Sequence, residues 1–232
     1  ANITNCAWNS TNWTLSYSNG TQGNVSWNII QVWNVTGPSG TAYGIDVDNE
    51  GFVYITGNSN NNYYTIKYNT TNASQIWNVS YDSGATDTAY GIAIDNNGSV
   101  YVTGDLVSVG YTIKYNSTGN HIWNASFDFG PWNDWGRGIT LDNQGFVYIT
   151  GGTNGVPGGG PIDYETVKYN VTNGSQIWKA EYNSGGTDIA YSIAVDSSSN
   201  VYVTGSSNGN YTIVKYNSSG NNQWNVTGPA GT

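Results

Sequence analysis

Seventeen asparagines of this sequence stand in Asn-X-Ser/Thr tripeptides, the acceptor pattern for N-linked glycans. Composition alone would give roughly seven such tripeptides. A glycan on the side-chain amide adds bulk and solubility at the surface of a secreted protein. The tripeptides begin at Asn2, Asn9, Asn12, Asn19, Asn24, Asn34, Asn69, Asn72, Asn78, Asn97, Asn116, Asn124, Asn170, Asn173, Asn210, Asn217 and Asn225.

Eight of these asparagines recur at two positions of an internal repeat. One set follows a tryptophan and comprises Asn34, Asn78, Asn124 and Asn225. The other set ends a short predicted strand and comprises Asn69, Asn116, Asn170 and Asn217. Duplication of ordinary turn and surface asparagines would also produce this register, but it does not explain irregular sites such as Asn2 and Asn72. The pattern favours glycosylation of several sites, which requires secretion.

A second group of residues has the composition of a sugar-binding site. Trp132, Asp134, Trp135 and Arg137, the only arginine, lie close together where the repeat is interrupted. Aromatic rings with a few polar groups suit saccharides. We expect them on a link between two repeats, where they form either a ligand loop or a loop that only covers one face of the fold.

The sequence offers little for catalysis. His121 is the only histidine and Cys6 the only cysteine, so no Ser-His-Asp set, two-histidine metal site or internal disulfide is predicted. A carboxylate pair could hydrolyse glycosides, but no spacing selects a pair. The candidates for such a pair are Asp82, Asp87, Asp128, Asp134 and Asp188. We therefore expect no enzymatic activity, no cofactor and no metal, and the segment 46–51 is predicted to be a turn and not a calcium loop.

Composition excludes two classes of partner. Charged residues make up 9% of the 232-residue chain, and the formal net charge is −9. Nucleic-acid binding needs a clustered basic surface, which six lysines and arginines with this net charge do not provide. No run of about 18 apolar residues is present, so no membrane span is predicted.

One module of about 46 residues recurs along the chain, and periods of 20–50 residues are typical of solenoids, propellers and arrays. One repeated position holds Asp48, Asp95, Asp142 and Asp196. Others hold Lys67, Lys114, Lys168 and Lys215, and Trp77, Trp123, Trp178 and Trp224. Because buried charges need partners, we expect a structural Lys–Asp or Lys–carbonyl contact within or between repeats.

Each repeat is predicted to contain four short strands. In the second repeat they cover residues 90–95, 99–103, 111–115 and 121–127, separated by Asn- and Gly-rich turns. An insertion rich in Gly and Pro, residues 151–162, is predicted to be a loop between the second and third strands of the third repeat. Four antiparallel strands repeated around an axis form a β-propeller, so we expect an all-β propeller with four or five blades.

The segments Tyr-Gly-Ile-Ala-Ile-Asp-Asn-Asn-Gly-Ser-Val-Tyr-Val-Thr-Gly and Tyr-Thr-Ile-Lys-Tyr-Asn, followed by a Trp, carry a family resemblance. Residues 33–232 resemble SBBP-type β-propeller repeats, which are related to NHL and YVTN repeats. The resemblance implies an extracellular or cell-surface propeller and transfers no catalytic residue.

The two ends of the repeat array do not match. Residues 224–232 nearly copy residues 33–41, so we expect four full blades and, at the N-terminus, about three strands of a fifth blade without its inner strand. We treat residues 1–32 as a separate segment or partial blade and residues 33–232 as the propeller. Residues 1–32 either complete a five-bladed ring or lie on its side, or they add a strand to a neighbouring copy, and contacts that do not close produce a filament.

Together these features predict a secreted, N-glycosylated structural protein at the cell surface. We expect a homo-oligomer or homopolymer, a filament or sheath joined by strand complementation. The alternative is a propeller that binds glycans and acts in adhesion.

Overall fold

The computed structural model describes residues 3–8, 13–17, 22–25, 34–106, 109–127, 134–153 and 162–230. The chain divides into two compact units, Ala1–Thr36 and Gly37–Thr232. The described residues contain strands and turns and no helix, as the sequence predicts. Accordingly, no helix in this part of the chain has the length and apolar character needed to cross a membrane.

The first unit is a three-stranded antiparallel sheet with the order β1-β2-β3. Its strands are β1 (Ile3–Trp8), β2 (Trp13–Tyr17) and β3 (Gln22–Val25). The central strand pairs on both sides, with Cys6 opposite Leu15 and Leu15 opposite Gly23. Counted over the described residues, this sheet has one strand fewer than each sheet of the second unit.

The second unit consists of four sheets of four antiparallel strands, which we call blades 1 to 4. Blade 1 contains β4 (Thr41–Val47), β5 (Phe52–Ser59), β6 (Asn62–Asn69) and β7 (Gln75–Tyr81). Blade 2 contains β8 (Asp87–Ile94), β9 (Val100–Leu106), β10 (Val109–Tyr115) and β11 (His121–Phe127). Blade 3 contains β12 (Asp134–Leu141), β13 (Phe146–Thr153), β14 (Asp163–Asn170) and β15 (Gln176–Tyr182). Blade 4 contains β16 (Asp188–Val195), β17 (Val201–Ser207), β18 (Asn210–Tyr216) and β19 (Asn222–Ala230). The predicted β-propeller architecture is thus confirmed.

The hydrophobic core lies between the blades. One cluster joins Tyr54 and Tyr63 of blade 1 to Ile92 of blade 2. Equivalent clusters join blade 2 to blade 3 and blade 3 to blade 4. Each blade therefore depends on its neighbours for burial, as expected when one repeat cannot bury its apolar faces alone.

Gly104, in the second strand of blade 2, shows why a predicted strand was shorter than the observed one. The sequence suggested that Gly104 ends this strand, but β9 continues to Leu106. A Cβ atom at Gly104 would lie 2.0 Å from the carbonyl oxygen of Thr88 on the neighbouring inner strand. The glycine permits a close approach of two backbones inside the sheet and does not terminate it.

Every inner strand contains one bulged residue. The register of the inner strand shifts at Tyr43, Tyr90, Arg137 and Tyr191, which occupy the same position in blades 1 to 4. A bulge leaves its residue unpaired and redirects the side chain. We call these four residues the axial ring. They lie on the inner strands, which pack side by side in neighbouring blades.

Candidate interaction surfaces

A line of three side chains crosses each blade and organises its contacts. In blade 2, Tyr101, Lys114 and Trp123 stand opposite one another on β9, β10 and β11. The Tyr101 hydroxyl donates a hydrogen bond to Oδ2 of Asp95, at the end of the inner strand, at 3.0 Å. The equivalent Tyr–Asp bonds of the other blades measure 2.7–3.1 Å. The repeated Asp thus anchors the turn and the second strand together.

The repeated Asp also closes its turn, as predicted. Oδ1 of Asp48 accepts hydrogen bonds from the backbone N–H groups of Glu50 and Phe52, at 2.9 Å each. In blade 4, bonds from the side chain and backbone of Asn200 lower the pKa of Asp196 to about 2. The segment 46–51 is therefore an Asp-anchored turn.

The repeated lysines make the structural contacts that the sequence predicted. Nζ of Lys114 donates to the carbonyl oxygen of Val171 in the next blade at 2.8 Å, and Lys168 contacts the carbonyl of Ser218 at 3.5 Å. Lys67 forms an ion pair with Asp48 at 3.8 Å. Burial lowers the pKa of Lys114 and of Lys168. Both alternatives, Lys–Asp and Lys–carbonyl, thus occur.

The repeated tryptophans bind the same turn of the next blade. Nε1 of Trp123 donates to the carbonyl oxygen of Val171 at 3.0 Å, the oxygen that also accepts from Lys114. Trp77 and Trp178 make the same bond to Ser117 and Ser218, also at 3.0 Å. The surface of a blade that bears these groups is called here its forward face, and the opposite surface, which receives the preceding blade, its rear face.

A glycine in each receiving turn leaves room for the tryptophan ring. A Cβ atom at Gly119, Gly174 or Gly220 would lie 3.1, 2.8 or 2.7 Å from the ring of the preceding blade. All three glycines have positive φ. Blade 1 carries Ala73 at this position, with φ of 58°. The turn of blade 1 therefore lacks the space that the other three turns offer to a tryptophan.

The forward face of blade 4 is exposed, although its residue types match those of the internal boundaries. Tyr63 and Tyr164 are 1% and 0% exposed and donate to carbonyl oxygens of the next blade at 3.4 and 3.5 Å. Tyr211 stands at the same position of blade 4 and is 74% exposed. Trp224 and Val226 on the neighbouring strand are also exposed.

The rear face of blade 1 is also exposed, although its turn carries Ala73 where the other receiving turns carry glycine. Ile92 and Ile193, on the inner strands of blades 2 and 4, are each 8% exposed because the preceding blade covers them. Ile45 occupies the same position in blade 1 and is 69% exposed, and Val47 is exposed beside it. The blade unit therefore presents two apolar surfaces of the kind that its internal boundaries bury.

The predicted glycan acceptors whose side chains are described are all exposed or partly exposed. Those on outer strands alternate with the tryptophans, so Asn78 and Asn124 point away from the blade boundary. The acceptors with described side chains are Asn34, Asn69, Asn72, Asn78, Asn97, Asn116, Asn124, Asn170, Asn173, Asn210, Asn217 and Asn225. Asn2, Asn9, Asn12 and Asn19 lie outside the described residues, as does the side chain of Asn24.

The asparagines after the third strands adopt a common turn. Oδ1 of Asn116 accepts a hydrogen bond from the backbone of Thr118 at 3.1 Å and from its hydroxyl at 2.8 Å. Asn69, Asn170 and Asn217 make the equivalent backbone bond. These bonds use the amide oxygen and not Nδ2, the atom that a glycan modifies.

The predicted ligand loop lies mostly on a strand. Asp134, Trp135 and Arg137 belong to β12, so their placement on a linking loop was wrong, while Trp132 lies outside the described residues. The bulge at Arg137 continues the inner strand without a loop. Asp134 is fully buried, whereas Arg137 is exposed and its guanidinium lies 5.8 Å from the ring of Trp135.

The repeats match a known family model. The model described as "SBBP: Beta-propeller repeat" matches residues 35–64, 81–105, 129–157 and 177–212, about half of the chain. The chain belongs to the SBBP beta-propeller repeat family. No curated protein sequence matches it.

Solved propeller structures share the fold of these SBBP repeats. Quinohemoprotein alcohol dehydrogenase from Comamonas testosteroni is 15% identical with a TM-score of 0.60, over 82% of this chain and 35% of that one. A gluconolactonase from Xanthomonas campestris is 11% identical with a TM-score of 0.54, over 95% and 70%. The Dos1 propeller is 10% identical with a TM-score of 0.55, over 90% and 50%. The chain spans about a third of the alcohol dehydrogenase. At these identities the likeness shows the fold alone.

The SBBP repeats carry several buried carboxylates at the ends of inner and third strands. Asp87 accepts hydrogen bonds from the backbone and hydroxyl of Ser83, and Asp188 does the same with Ser184. Burial, with Glu181 and Asp188 nearby, raises the pKa of Asp163 to about 6. Within the described residues no group of three or more His, Cys, Asp or Glu is arranged to hold a metal ion. The sequence did not single out Asp163. Its raised pKa depends on its burial in the structure.

Proposed function

We propose that this protein is a secreted, N-glycosylated structural protein of the cell surface that assembles with copies of itself into a filament or sheath. The observation that carries the proposal is the pair of exposed apolar surfaces on the forward face of blade 4 and the rear face of blade 1. At the internal boundaries, the same positions are buried by the neighbouring blade. A surface of this kind marks an interaction site.

The free energy gained by burying the exposed apolar side chains is of the order needed for assembly. Covering a large apolar side chain contributes about 1.5–3 kcal/mol. The exposed side chains are Tyr211, Trp224 and Val226 on one face and Ile45 and Val47 on the other, with exposed fractions from 41% for Trp224 to 74% for Tyr211. Their joint burial is comparable with the roughly 4–15 kcal/mol that association costs in lost freedom of motion. Self-assembly therefore needs further contacts besides these five side chains.

The N-terminal sheet can supply those contacts by strand complementation. In the described residues it has three strands, one fewer than each blade, and its outer strands β1 and β3 each pair on one side only within these residues. Unpaired strand edges are templates for another chain. In the proposed assembly, residues 1–32 exchange strands between neighbouring copies, and N-linked glycans cover the outer strands and turns.

We propose no enzymatic role. The repeated Asp, Lys, Tyr and Trp side chains bind turns and neighbouring blades, so their recurrence has a structural explanation. The propeller enzymes among the similar structures share only the fold with this chain.

The experiment that tests this function has two readouts on native material from the source cells. Negative-stain electron microscopy is expected to show polymers, and enzymatic release of N-glycans is expected to lower the mass, with site mapping at several of the predicted asparagines. Full-length Leu15→Pro, which breaks the central strand of the N-terminal sheet, is expected to abolish polymers, whereas Leu15→Val is expected to retain them. Monodisperse, unglycosylated native protein would refute the proposal.

A further inference from the structure

The axial ring carries one substitution that changes its chemistry. Three blades place a tyrosine at the bulged position, and blade 3 places Arg137 there. Arg137 is the only arginine of the chain. In a chain with a net charge of −9, this single guanidinium stands among phenol rings at the inner strands.

The inner strands pack closely, and three of the four axial-ring residues share one cavity. A Cβ atom at Gly91 would lie 2.9 Å from the carbonyl oxygen of Arg137, and one at Gly44 would lie 3.0 Å from that of Tyr90. This contact between strands leaves no room for side chains at the glycines. Tyr43, Arg137 and Tyr191 line a cavity of about 320 Å³ that is open to solvent. This volume lies at the lower end of the range of small-molecule sites.

The guanidinium of Arg137 is held by aromatic rings and not by a carboxylate. It lies 5.2 Å from the ring of Tyr191 and 5.8 Å from that of Trp135. Among the described residues it makes no hydrogen bond or ion pair. Its charge is felt by Asp105 and Tyr90, whose pKa values burial nevertheless raises. An arginine supported by two rings and without an anionic partner is prepared to bind one.

We propose that the axial ring binds a carboxylate-bearing saccharide, such as a uronic acid residue. Arg137 holds the carboxylate with two parallel hydrogen bonds, and the rings of Tyr43 and Tyr191 contact the apolar face of the sugar. This function is distinct from assembly, because its charged residue, Arg137, lies on blade 3 and outside the faces of blades 1 and 4, although Ile45 of the rear face of blade 1 also lines the cavity. It gives the glycan-binding alternative a defined site and ligand charge.

The test uses digalacturonic acid as the probe and full-length protein at low ionic strength, with isothermal titration calorimetry. Cellobiose, a neutral disaccharide, and inorganic sulfate, an anion without a sugar, are the comparison ligands. Digalacturonic acid is expected to bind at least tenfold more tightly than either. Equal binding of cellobiose would overturn the role of the charge, and equal binding of sulfate would overturn the role of the sugar.

The decisive variant is Arg137→Tyr, which restores the residue that the other three blades carry. It is expected to weaken binding of digalacturonic acid at least tenfold. Arg137→Gln, which also removes the positive charge but keeps a long polar side chain, is the second variant if the first fails to fold. Lys179→Gln, on outer strand β15, removes one positive charge elsewhere and is expected to leave affinity unchanged. Unchanged binding in Arg137→Tyr or Arg137→Gln, or no binding by the wild-type protein, would overturn the proposal.

Discussion

Trp123 of blade 2 and Val171 of blade 3 are joined by a hydrogen bond of 3.0 Å from the indole Nε1 to the backbone carbonyl oxygen. Lys114 donates to the same oxygen at 2.8 Å. One carbonyl thus receives two donors from the preceding blade. The arrangement recurs at the next boundary, where Trp178 and Lys168 both contact Ser218. It is the polar part of the joint between blades, and blade 4 carries the same donor types on an exposed face.

Removing the indole donor is expected to weaken the internal joint. Trp123→Phe keeps an aromatic ring and loses the bond to Val171, so we expect a loss of about 1 kcal/mol in the free energy of unfolding, measured by urea denaturation. Trp224→Phe is the matched control in blade 4. Because Trp224 is exposed, the free energy of unfolding of the monomer should not change. Equal losses in the two variants would contradict the assigned role of the joint.

The receiving turn is expected to respond to a single methyl group. Gly220→Ala places a Cβ atom about 2.7 Å from the ring of Trp178 at a positive φ, so we expect a loss of at least roughly 1 kcal/mol in the free energy of unfolding. Ala73→Gly makes the reverse change in blade 1. It relieves a residue at φ of 58° and should be neutral or stabilising. Thermal unfolding of both variants tests this pair of expectations. Destabilisation by Ala73→Gly would contradict the interpretation that the positive φ of Ala73 is unfavourable.

Assembly is expected to depend on the forward face of blade 4. Tyr211→Ser combined with Val226→Ser should move the protein from polymers to monomers in light scattering, without lowering the Tm of the monomer, since both side chains are exposed. Ile76→Ser combined with Ile122→Ser removes exposed apolar surface from the outer strands of blades 1 and 2 and should leave assembly intact. If the two double variants lose polymers equally, the forward face has no special role.

The stability of the folded protein is expected to decrease as the pH rises through the pKa of Asp163. Its pKa is raised by burial and by Glu181 and Asp188 to about 6, above the ordinary value of 3.8. Between these values the folded protein binds more protons than the unfolded chain, so this carboxyl favours folding at low pH, and the benefit disappears as the pH rises from about 4 to 6. Asp163→Asn should therefore raise the Tm at pH 7 and not at pH 3.5. A higher Tm at both values would assign the gain to packing and not to charge.

Much of the fold follows from local sequence. The period of the repeat, the alternation along residues 121–127 and the Asn- and Gly-rich turns predict four-stranded units, and β11 has the predicted bounds. The repeated Lys and Asp predicted a structural contact because buried charges need partners. These inferences succeed because the same local sequence preferences recur in every repeat.

Other features depend on neighbours that are distant in sequence. Nothing in the local sequence distinguishes Gly104, which lies inside a strand, from a glycine that ends one, because the deciding contact is with Thr88 on another strand. Arg137 was expected on a loop, but the bulge of an inner strand holds it beside Tyr191, 54 positions away. The sequence singled out Arg137, but not Tyr43 and Tyr191, which line the same cavity and come from distant repeats.

The sequence by itself determined the blade, because strand periodicity, turn residues and repetition are local properties of the chain. Only the tertiary structure decided which copies of the repeat are covered, since Tyr63 and Tyr211 have the same residue type and repeat position and yet are 1% and 74% exposed. Burial depends on whether a neighbouring sheet lies against a face, and that information belongs to the packing of blades and not to any single repeat.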